Sequence, residues 1–145
     1  MTVVDNRRQY ANKKRLPHAD KILVGDYAKM LRRLSIDKNT HIMIVTQGNE
    51  FDFECLKTVV KSPAGYIGVI SSKAKRIKFF KRLRDAGVEE KYLKRIRIPA
   101  GIDIGAQAPA ELAVSIASEM VQATNKEFIG TDKFKEKSKK GTVHE

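Results

Sequence analysis

Two short, uninterrupted apolar runs constrain the fold of this chain more than any other feature. The first extends from His41 to Thr46 and the second from Tyr66 to Ile70. A strand with one face in solvent alternates apolar and polar residues, and neither run does so. Continuous apolar runs of this length are typical of parallel strands that are covered on both faces. We therefore predict an α/β domain with a mostly parallel sheet.

Helical patterns lie between and after these runs. Asp26 is predicted to cap the first helix and Asp52 the second, while a basic helix over 73–86 follows Ser71 and Ser72. Shorter strands are predicted at 2–4 and 22–24, and a short helix at 88–95. The residues predicted to face the core are Tyr27, Met30, Leu31 and Leu34 in the first helix, Phe53, Leu56 and Val60 in the second, and Ala74, Ile77, Phe80 and Leu83 in the third.

A glycine-punctuated loop leads into the last predicted helix. Gly101 and Gly105 bracket Asp103, so the backbone there can take positive φ or approach a ligand closely. Pro109 suits a first helical turn, and Glu111 complements the positive end of the helix dipole. The apolar face predicted for this helix consists of Leu112, Ala113, Ile116 and Met120.

Length and composition indicate one globular domain. The chain has 145 residues, 41% hydrophobic and 32% charged. We assign residues 1–125 to the domain and predict that the Lys-rich segment 126–145 is a disordered tail. The single cysteine, Cys55, excludes an internal disulfide framework, and no apolar run reaches the roughly 18 residues of a membrane span. We expect a cytoplasmic protein without a signal peptide.

The net charge of +12 is concentrated in two regions. Residues 73–97 carry 11 Lys/Arg against 3 Asp/Glu, and residues 1–33 carry 9 against 3. Such blocks attract nucleic acid, acidic partners or phosphorylated ligands, or simply form a solvated helix face. Few aromatic residues are interleaved with the cations, so nucleic-acid binding is not favoured.

Ligands of parallel α/β domains bind at the carboxyl ends of the strands. The residues at those ends are small or polar, which suits a site made of backbone N–H groups and hydroxyls around phosphate. The candidate ligand-binding residues are Asp5, Arg7, Thr46, Gly68, Ser71, Ser72, Lys73, Gly101, Asp103 and Gly105.

Several of these candidates have an equally simple structural interpretation. Asp5 is placed like an acid that binds a ribose hydroxyl, or it pairs with Arg7 or Arg8. Ser71, Ser72 and Lys73 form an anion site at a helix start or an ordinary helix cap. Asp103 orients a ligand or forms a hydrogen bond within its own turn. Cys55 is expected to be a buried thiol rather than a sulfur carrier. We predict no catalytic residues, and no metal site at the dispersed histidines His18, His41 and His144.

The sequence resembles a known family along most of its length. The matching segments are 3–7, 62–68, 72–73 and 101–106 with the helix that follows to Ile116. They resemble, in order, the C-terminal Rossmann-like domain of the xanthine dehydrogenase accessory (XdhC/CoxI) family, over roughly residues 2–124. The resemblance implies a three-layer Rossmann-like fold. It also implies binding of molybdenum cofactor (molybdopterin) and a chaperone role in maturing a molybdenum hydroxylase such as xanthine dehydrogenase.

The sequence departs from the family pattern at several points. The family has a strand and a glycine-rich turn before the strand that ends at Asp5, so we expect an N-terminally truncated sheet. Asn49, Ser71 and Ala108 stand where the family pattern has His, Gly and Thr. A sheet without its central strand exposes ladder edges, which predicts a homo-oligomer or a partner chain that supplies a strand. The alternatives to a maturation factor are an NAD(P)-binding oxidoreductase-type domain and a non-catalytic module completed by another chain.

Overall fold

The computed structural model of the protein describes residues 1–125, in which short parallel strands alternate with helices. The elements are β1 (Thr2–Asp5), β2 (Lys21–Val24), α1 (Tyr27–Arg32), β3 (His41–Ile44), α2 (Asn49–Val59), β4 (Tyr66–Val69), α3 (Lys73–Asp85), α4 (Glu90–Leu93), β5 (Ile96–Arg97) and α5 (Pro109–Thr124). The predicted α/β class is therefore confirmed, whereas the predicted tail 126–145 lies outside the described residues. No helix of residues 1–125 is long and apolar enough to cross a membrane.

The strands form two separate parallel sheets. One contains β1 and β2, and the other contains β3, β4 and β5 in that order. β1 pairs with β2 from Thr2↔Lys21 to Asp5↔Val24, and β3 pairs with β4 from His41↔Tyr66 to Ile44↔Val69. β5 completes the second sheet beside β4. Within the described part of the chain, β1 and β3 each have one strand partner and one edge without a strand.

Helices cover the second sheet on both faces. Ile67 and Val69 of β4 belong to the main core cluster, together with Phe53 and Leu56 of α2 and Phe79 of α3. Successive side chains of a strand point to opposite faces, so Tyr66 points the other way. Its hydroxyl donates to Glu119 of α5. The layers are thus α5, sheet, and α2 with α3, as a Rossmann-like fold requires.

The burial of the strands decreases away from β4. All four residues of β4 are buried, whereas β3 has one buried residue and β1 and β2 have none. The prediction that the 41–46 run is buried on both faces is therefore wrong for β3. The physical reason is its position, because β3 lies at an edge of its sheet and His41 is exposed.

Two predicted helix faces also differ from the structure. In α3 the predicted core residues Phe80 and Leu83 are buried together with Phe79, whereas Ile77 is 73% exposed and Ala74 is exposed. Both positions had been assigned to the core from their spacing. In α5 the buried residues are Ser115 and Ile116, while the predicted core residue Ala113 is exposed. Ala74 and Ile77 lie in the N-terminal half of α3, whereas the helix packs on the core through its C-terminal half.

Two element boundaries were also wrong. Asp52 lies inside α2, which begins at Asn49 after the cap residue Gly48, so Asp52 does not cap the helix. The predicted helix over 88–95 is a single turn, α4, and it leads into β5. Strand β5 has two residues, which is too short for its apolar pattern to be recognised.

Candidate ligand site at the carboxyl ends of the strands

Asp5 ends β1 and is held by Arg7. Arg7 Nε donates to Asp5 Oδ1 and Nη2 to Oδ2, both at 3.0 Å, and the Arg7 backbone N–H donates to Oδ1 at 2.9 Å. The Arg7 side-chain hydrogen bonds hold the pKa of the Asp5 carboxyl below its usual value. The pair is planar and bidentate, so it presents a fixed carboxylate and a guanidinium at the strand end. A ligand hydroxyl reaching Asp5 has to share the carboxylate with Arg7.

Thr46 follows β3 and is bound by Asp52 of α2. The Thr46 hydroxyl donates to Asp52 Oδ1 at 2.7 Å, and the Thr46 backbone N–H donates to the same oxygen at 3.1 Å. Asp52 is only 5% exposed, so this contact fixes the turn between β3 and α2 from within. The Gly48 carbonyl lies 3.0 Å from the same hydroxyl, so the turn supplies two acceptors for its one proton, and Asp52 is the nearer.

A polar contact joins the ends of the two sheets. Gln47 Nε2 donates to Asn6 Oδ1 at 3.5 Å, which places the residues after β1 beside those after β3. The Ile70 N–H donates to the Ile44 carbonyl at 3.1 Å and the Ala100 N–H donates to the Val69 carbonyl at 3.0 Å. These contacts bring the ends of β1, β3, β4 and the loop after β5 to one rim of the domain.

The start of α3 lies on this rim after β4. Ser72 is its cap residue, and its side chain accepts from the Lys75 N–H at 3.3 Å. Lys73 is the first residue of α3 and has no ion pair within residues 1–125. Ser71 Oγ is buried and has no hydrogen-bond partner there. A buried hydroxyl without a partner is uncommon, so Ser71 is the candidate whose polar group is least explained by the fold itself.

A groove runs from Lys73 along α3. Its volume is about 420 Å³, and it is lined by Lys73, Arg76, Ile77, Phe80, Arg84, Ile98 and Pro99. The Arg76 guanidinium lies 5.0 Å from the centroid of the Phe80 ring. The groove therefore has apolar side chains at its base and cationic side chains along its border. This combination suits a ligand that has both a flat ring and a negative charge.

Gly101 is required by close packing against α5. Its φ is +101°, and a Cβ at this position would lie 2.4 Å from Ser115 Oγ. The Gly101 N–H donates to Glu119 Oε2 at 2.8 Å, and the Ser115 hydroxyl donates to the Ile102 carbonyl. α5 thus holds the start of the loop by side-chain hydrogen bonds at two points.

The second half of the loop is exposed. The Gly105 N–H donates to Asp103 Oδ1 at 3.1 Å, so Asp103 fastens its own turn in this structure. Gly105 has φ +70° and open space where a Cβ would stand. Glu111 Oε2 accepts from the backbone N–H groups of Gln107 and Ala108, at 2.6 and 2.9 Å, as the third residue of a capping box does, while Ala108 has no side chain that could accept from the first N–H groups of α5.

Gly68 lies inside β4 and makes room for an aromatic ring. A Cβ at Gly68 would lie 2.6 Å from the Tyr66 ring and hydroxyl. Burial, followed by the hydrogen bond to Glu119, raises the pKa of Tyr66. Glycine is therefore required at position 68 because the Tyr66 ring occupies the space that a Cβ would need.

Two residues of this rim were not singled out from the sequence as part of the site. Asp52 was assigned to a helix cap, and its position six residues after Thr46 was the signal that could have linked them. Glu119 Oε2 accepts hydrogen bonds from the Tyr66 hydroxyl and the Gly101 N–H, and Arg97 Nε lies 3.8 Å from Glu119 Oε1. The sequence signal for Glu119 is weak, because it consists only of the four-residue spacing from Ser115, which places both residues on one face of the helix.

Cysteine and histidine form no reactive cluster in the described part of the chain. Cys55 is 4% exposed, and burial raises the pKa of its thiol to about 12. It is the buried thiol that was expected. His41 contacts the Thr124 hydroxyl at 3.2 Å, and His144 lies outside the described residues. Among residues 1–125, no group of three His, Cys, Asp or Glu side chains is arranged to hold a metal ion.

Comparison with known proteins agrees with this architecture. The sequence model of the XdhC Rossmann domain matches residues 1–120. The protein YqeB of Escherichia coli (strain K12) is 29% identical over 126 residues, which are 86% of this chain and 23% of YqeB. A crystal structure described as a xanthine dehydrogenase from Bacillus halodurans superposes with a TM-score of 0.74 at 27% identity. The match covers 92% of this chain and 38% of that one.

The chain therefore spans less than a quarter of YqeB and less than half of the solved relative. The family match, by contrast, covers most of this chain, and it includes β1, the rim of strand ends and the start of α5. On this evidence from sequence and fold together, the chain belongs to the XdhC family, through that family's Rossmann domain.

Proposed function

We propose that this chain is a maturation factor that binds molybdenum cofactor (molybdopterin) for a molybdenum hydroxylase such as xanthine dehydrogenase. The family membership supports this proposal, as does the description of the solved relative as a xanthine dehydrogenase. The observation that supports the proposal most strongly is the groove that begins at Lys73, which has apolar side chains at its base and cationic side chains along its border. We propose no catalytic step for this chain.

The residues of the rim fit the chemistry of such a ligand. Molybdopterin, when bound, supplies a flat pterin ring system, a dithiolene that holds the metal, and a terminal phosphate. In this proposal Lys73 and the first N–H groups of α3 receive the phosphate, because a helix start and an ammonium both favour an anion. Ser71 offers its unpartnered hydroxyl, and Phe80 offers a ring face. Each of these residues binds or orients the ligand, and none exchanges a proton with it.

In this proposal the loop from Gly101 to Gly105, which follows β5 along the chain, contributes Asp103 to the site. Asp103 is exposed, and its carboxylate is engaged by one backbone N–H, that of Gly105. Its second oxygen therefore has capacity to accept from a ring N–H or a hydroxyl of the ligand. Replacing Asp103 with Ala should weaken binding while leaving the thermal midpoint nearly unchanged, because only an exposed turn loses a hydrogen bond.

An NAD(P)-binding domain is the second candidate. Asp5 at the end of β1 stands where a ribose-binding acid would stand, but Arg7 already occupies both carboxylate oxygens. The third candidate is a non-catalytic module completed by another chain, which the edges of β1 and β3 that have no strand partner within residues 1–125 favour. A cytoplasmic location remains part of the proposal, and so does self-association through those edges.

A thermal-shift screen of the purified chain tests the proposal. Molybdopterin, molybdopterin cytosine dinucleotide, NAD and NADP are each added in excess. A ligand present at about a hundredfold over its Kd should stabilise the fold by about 2.7 kcal/mol. A shift with the pterins alone supports the maturation factor, and a shift with NAD or NADP alone supports the second candidate. No shift with any of them contradicts both.

Matched lysine variants locate the site. Lys73→Ala removes the ammonium at the start of α3, and Lys78→Ala removes an equal charge from an exposed position further along the same helix. We expect the pterin-dependent shift to fall in Lys73→Ala and to persist in Lys78→Ala. Equal loss in both variants would indicate general electrostatic attraction rather than a site at the helix start.

A further inference from the structure

A second cavity lies at the opposite end of the sheet from the rim of strand carboxyl ends. It opens where β4 and β5 begin, and the last turn of α5 contributes Ala123 to its border. Its volume is about 220 Å³, roughly half that of the groove along α3. None of the candidate ligand-site residues lines it. The cavity is therefore separate from the proposed pterin site.

Three cationic side chains line this second cavity, which we call the amino-end cavity. They are those of Lys94, Arg95 and Arg97, and no acidic residue of the described chain joins them in the lining. The rest of the lining includes the buried apolar residues Ala64 and Ile67. Charges of one sign in a concave site with apolar walls concentrate the electrostatic potential there. The amino-end cavity therefore favours an anion.

The Arg95 guanidinium is held in place by the backbone. Arg95 Nη1 donates to the Ser62 carbonyl at 3.0 Å, and Nη2 donates to the Ala64 carbonyl. Neutral carbonyls orient a guanidinium and leave its positive charge in full. Arg95 thus contributes a fixed charge to the cavity, so an anion that binds there does not have to order this side chain.

The Arg97 guanidinium has unused hydrogen-bond capacity. Its side chain is 35% exposed, and Nε lies 3.8 Å from Glu119 Oε1, which is longer than a hydrogen bond. Within residues 1–125 no Arg97 side-chain N–H donates a hydrogen bond, although a guanidinium carries several such groups. Lys94 likewise forms no ion pair in this part of the chain. Two of the three cations are therefore available to a ligand.

The charges around the amino-end cavity favour a dianion over a carboxylate. Glu119 offsets one of the three positive charges, and the carbonyls at the end of α5 contribute roughly half a negative charge. More than one positive charge remains. A phosphate dianion matches this excess, and arginine side chains bind phosphate oxygens in bidentate fashion. The lining thus has both the charge and the donors that a phosphate site needs.

We propose that the amino-end cavity binds a phosphate dianion, either the free ion or the terminal phosphate of a small monoester. Arg97 and Lys94 donate hydrogen bonds to the phosphate oxygens, and Arg95 contributes its fixed charge from the wall. The site binds its ligand without any covalent step. It lies apart from the strand carboxyl ends, so the proposal stands or fails separately from pterin binding.

Residues 126–145 follow α5 along the chain and are a competing occupant. They carry six lysines against four Asp/Glu, so on balance a cationic cavity repels them. Glu127 is the first carboxylate after α5. Glu127→Gln removes its charge, and the Kd for phosphate should stay the same within about twofold. A Kd that falls by about tenfold would show that this carboxylate occupies the cavity, and would overturn the proposal.

Isothermal titration calorimetry of the full chain, in a buffer without phosphate or sulfate, tests the proposal. The probes are inorganic phosphate, methyl phosphate and acetate. We expect each phosphate to bind saturably with a Kd of about 1 mM or tighter, and acetate to bind at least about tenfold more weakly. Whichever phosphate binds more tightly identifies the source of the ligand, the free ion or a monoester. Absence of phosphate binding, or acetate binding of equal strength, overturns the proposal.

Nuclear magnetic resonance locates the bound phosphate, which is necessary because the start of α3 also suits an anion. The amide resonances of Gly65, Tyr66 and Arg97 should shift during the titration, since these residues line the amino-end cavity. Shifts confined to Ser72 and Lys73 would assign the binding to the start of α3 and overturn the proposal.

Matched lysine variants distinguish the cavity from general electrostatic attraction. Lys94→Ala removes a cation of the lining, and Lys91→Ala removes an equal charge from α4 outside the cavity. The Kd for phosphate should rise about threefold to tenfold in Lys94→Ala and less than about twofold in Lys91→Ala. Equal weakening in both variants contradicts a local site.

Substitution of Arg97 tests the guanidinium itself. Arg97→Gln should weaken phosphate binding at least about tenfold, because charge-assisted hydrogen bonds are lost. Arg97→Lys keeps the charge without the bidentate donors, and its Kd should lie between those of Arg97→Gln and the parent chain. The thermal midpoints of both variants show that they are folded. An unchanged Kd in Arg97→Gln overturns the proposal.

Discussion

The Tyr66 hydroxyl donates to Glu119 Oε2 at 2.7 Å, and so β4 is fastened to a helix that lies 53 residues away in sequence. The same carboxylate oxygen accepts from the Gly101 N–H at 2.8 Å. One side chain of α5 thus holds both a strand and the start of the glycine loop. The position of the candidate ligand site relative to the sheet depends on this carboxylate.

Replacing Glu119 with Ala should destabilise the fold strongly. The Tyr66 hydroxyl, on a residue that is 2% exposed, and the Gly101 N–H both lose their acceptor. Two polar groups left without partners lower the free energy of unfolding by about 2–4 kcal/mol. Urea denaturation measures the change. Glu89→Ala is the control, because within residues 1–125 its carboxylate forms an ion pair only with an exposed lysine, Lys91, at 2.9 Å; equal losses in both variants would refute the role of Glu119.

The contribution of Asp5 to stability should depend on pH. Its pKa is lowered by Arg7, so the folded state favours the ionised carboxylate. This stabilisation is fully present above the unfolded-state pKa of about 3.9 and disappears as the pH falls through the lower folded-state pKa. Asp5→Asn should therefore be less stable than the parent chain at neutral pH, with a difference that shrinks toward about pH 3. A difference that does not change with pH would show that packing, not ionisation, accounts for it.

Thr46 and Asp52 should behave as one unit. Asp52→Ala removes the acceptor of the Thr46 hydroxyl and N–H, and Thr46→Val removes the hydroxyl alone. We expect a loss of about 1–3 kcal/mol for the first variant and less for the second. In a double-mutant cycle the losses should fall short of additivity by at least about 0.5 kcal/mol. Additive losses would mean that the two side chains do not interact.

Alanine at the two loop glycines should separate backbone strain from steric overlap. At Gly105 the added Cβ meets open space, so Gly105→Ala has only the cost of positive φ, about 1–2 kcal/mol. At Gly101 the φ is also positive, and the Cβ would overlap Ser115 Oγ at 2.4 Å. Gly101→Ala should therefore be the more destabilising variant in thermal unfolding. The reverse order would contradict the packing of α5 on this loop.

Patterns of apolar residues predicted most of the fold. The runs at 41–46 and 66–70 became β3 and β4, and Pro109 begins α5 as expected. Local patterns failed where tertiary packing decides the outcome. Ile77 has helical spacing suited to the core, but α3 packs on the core through its C-terminal half, where Phe79, Phe80 and Leu83 are buried.

Only part of the candidate site could be predicted from the sequence. The rule that ligands bind at the carboxyl ends of parallel strands predicted that the residues after β1, β3 and β4 lie at one rim. Parallel strands bring these ends together whatever their side chains are. The rule could not show which polar groups are already engaged. Asp103 bonds to its own turn and Asp5 to Arg7, whereas Ser71 has a buried hydroxyl without a partner in the described residues. Such distinctions depend on distances of a few tenths of an ångström, which no spacing pattern encodes.

The burial of Cys55 has a practical consequence for spectroscopy. The chain contains a single cysteine, and its thiol is shielded from solvent with a pKa of about 12. Maleimide dyes and nitroxide labels react with exposed thiolates, so the native chain should remain unlabelled at neutral pH. Cysteines introduced singly or in pairs at exposed positions of the two sheets would then be the sole attachment points. Distances between the β1–β2 sheet and the β3–β4–β5 sheet become measurable without first removing a core residue.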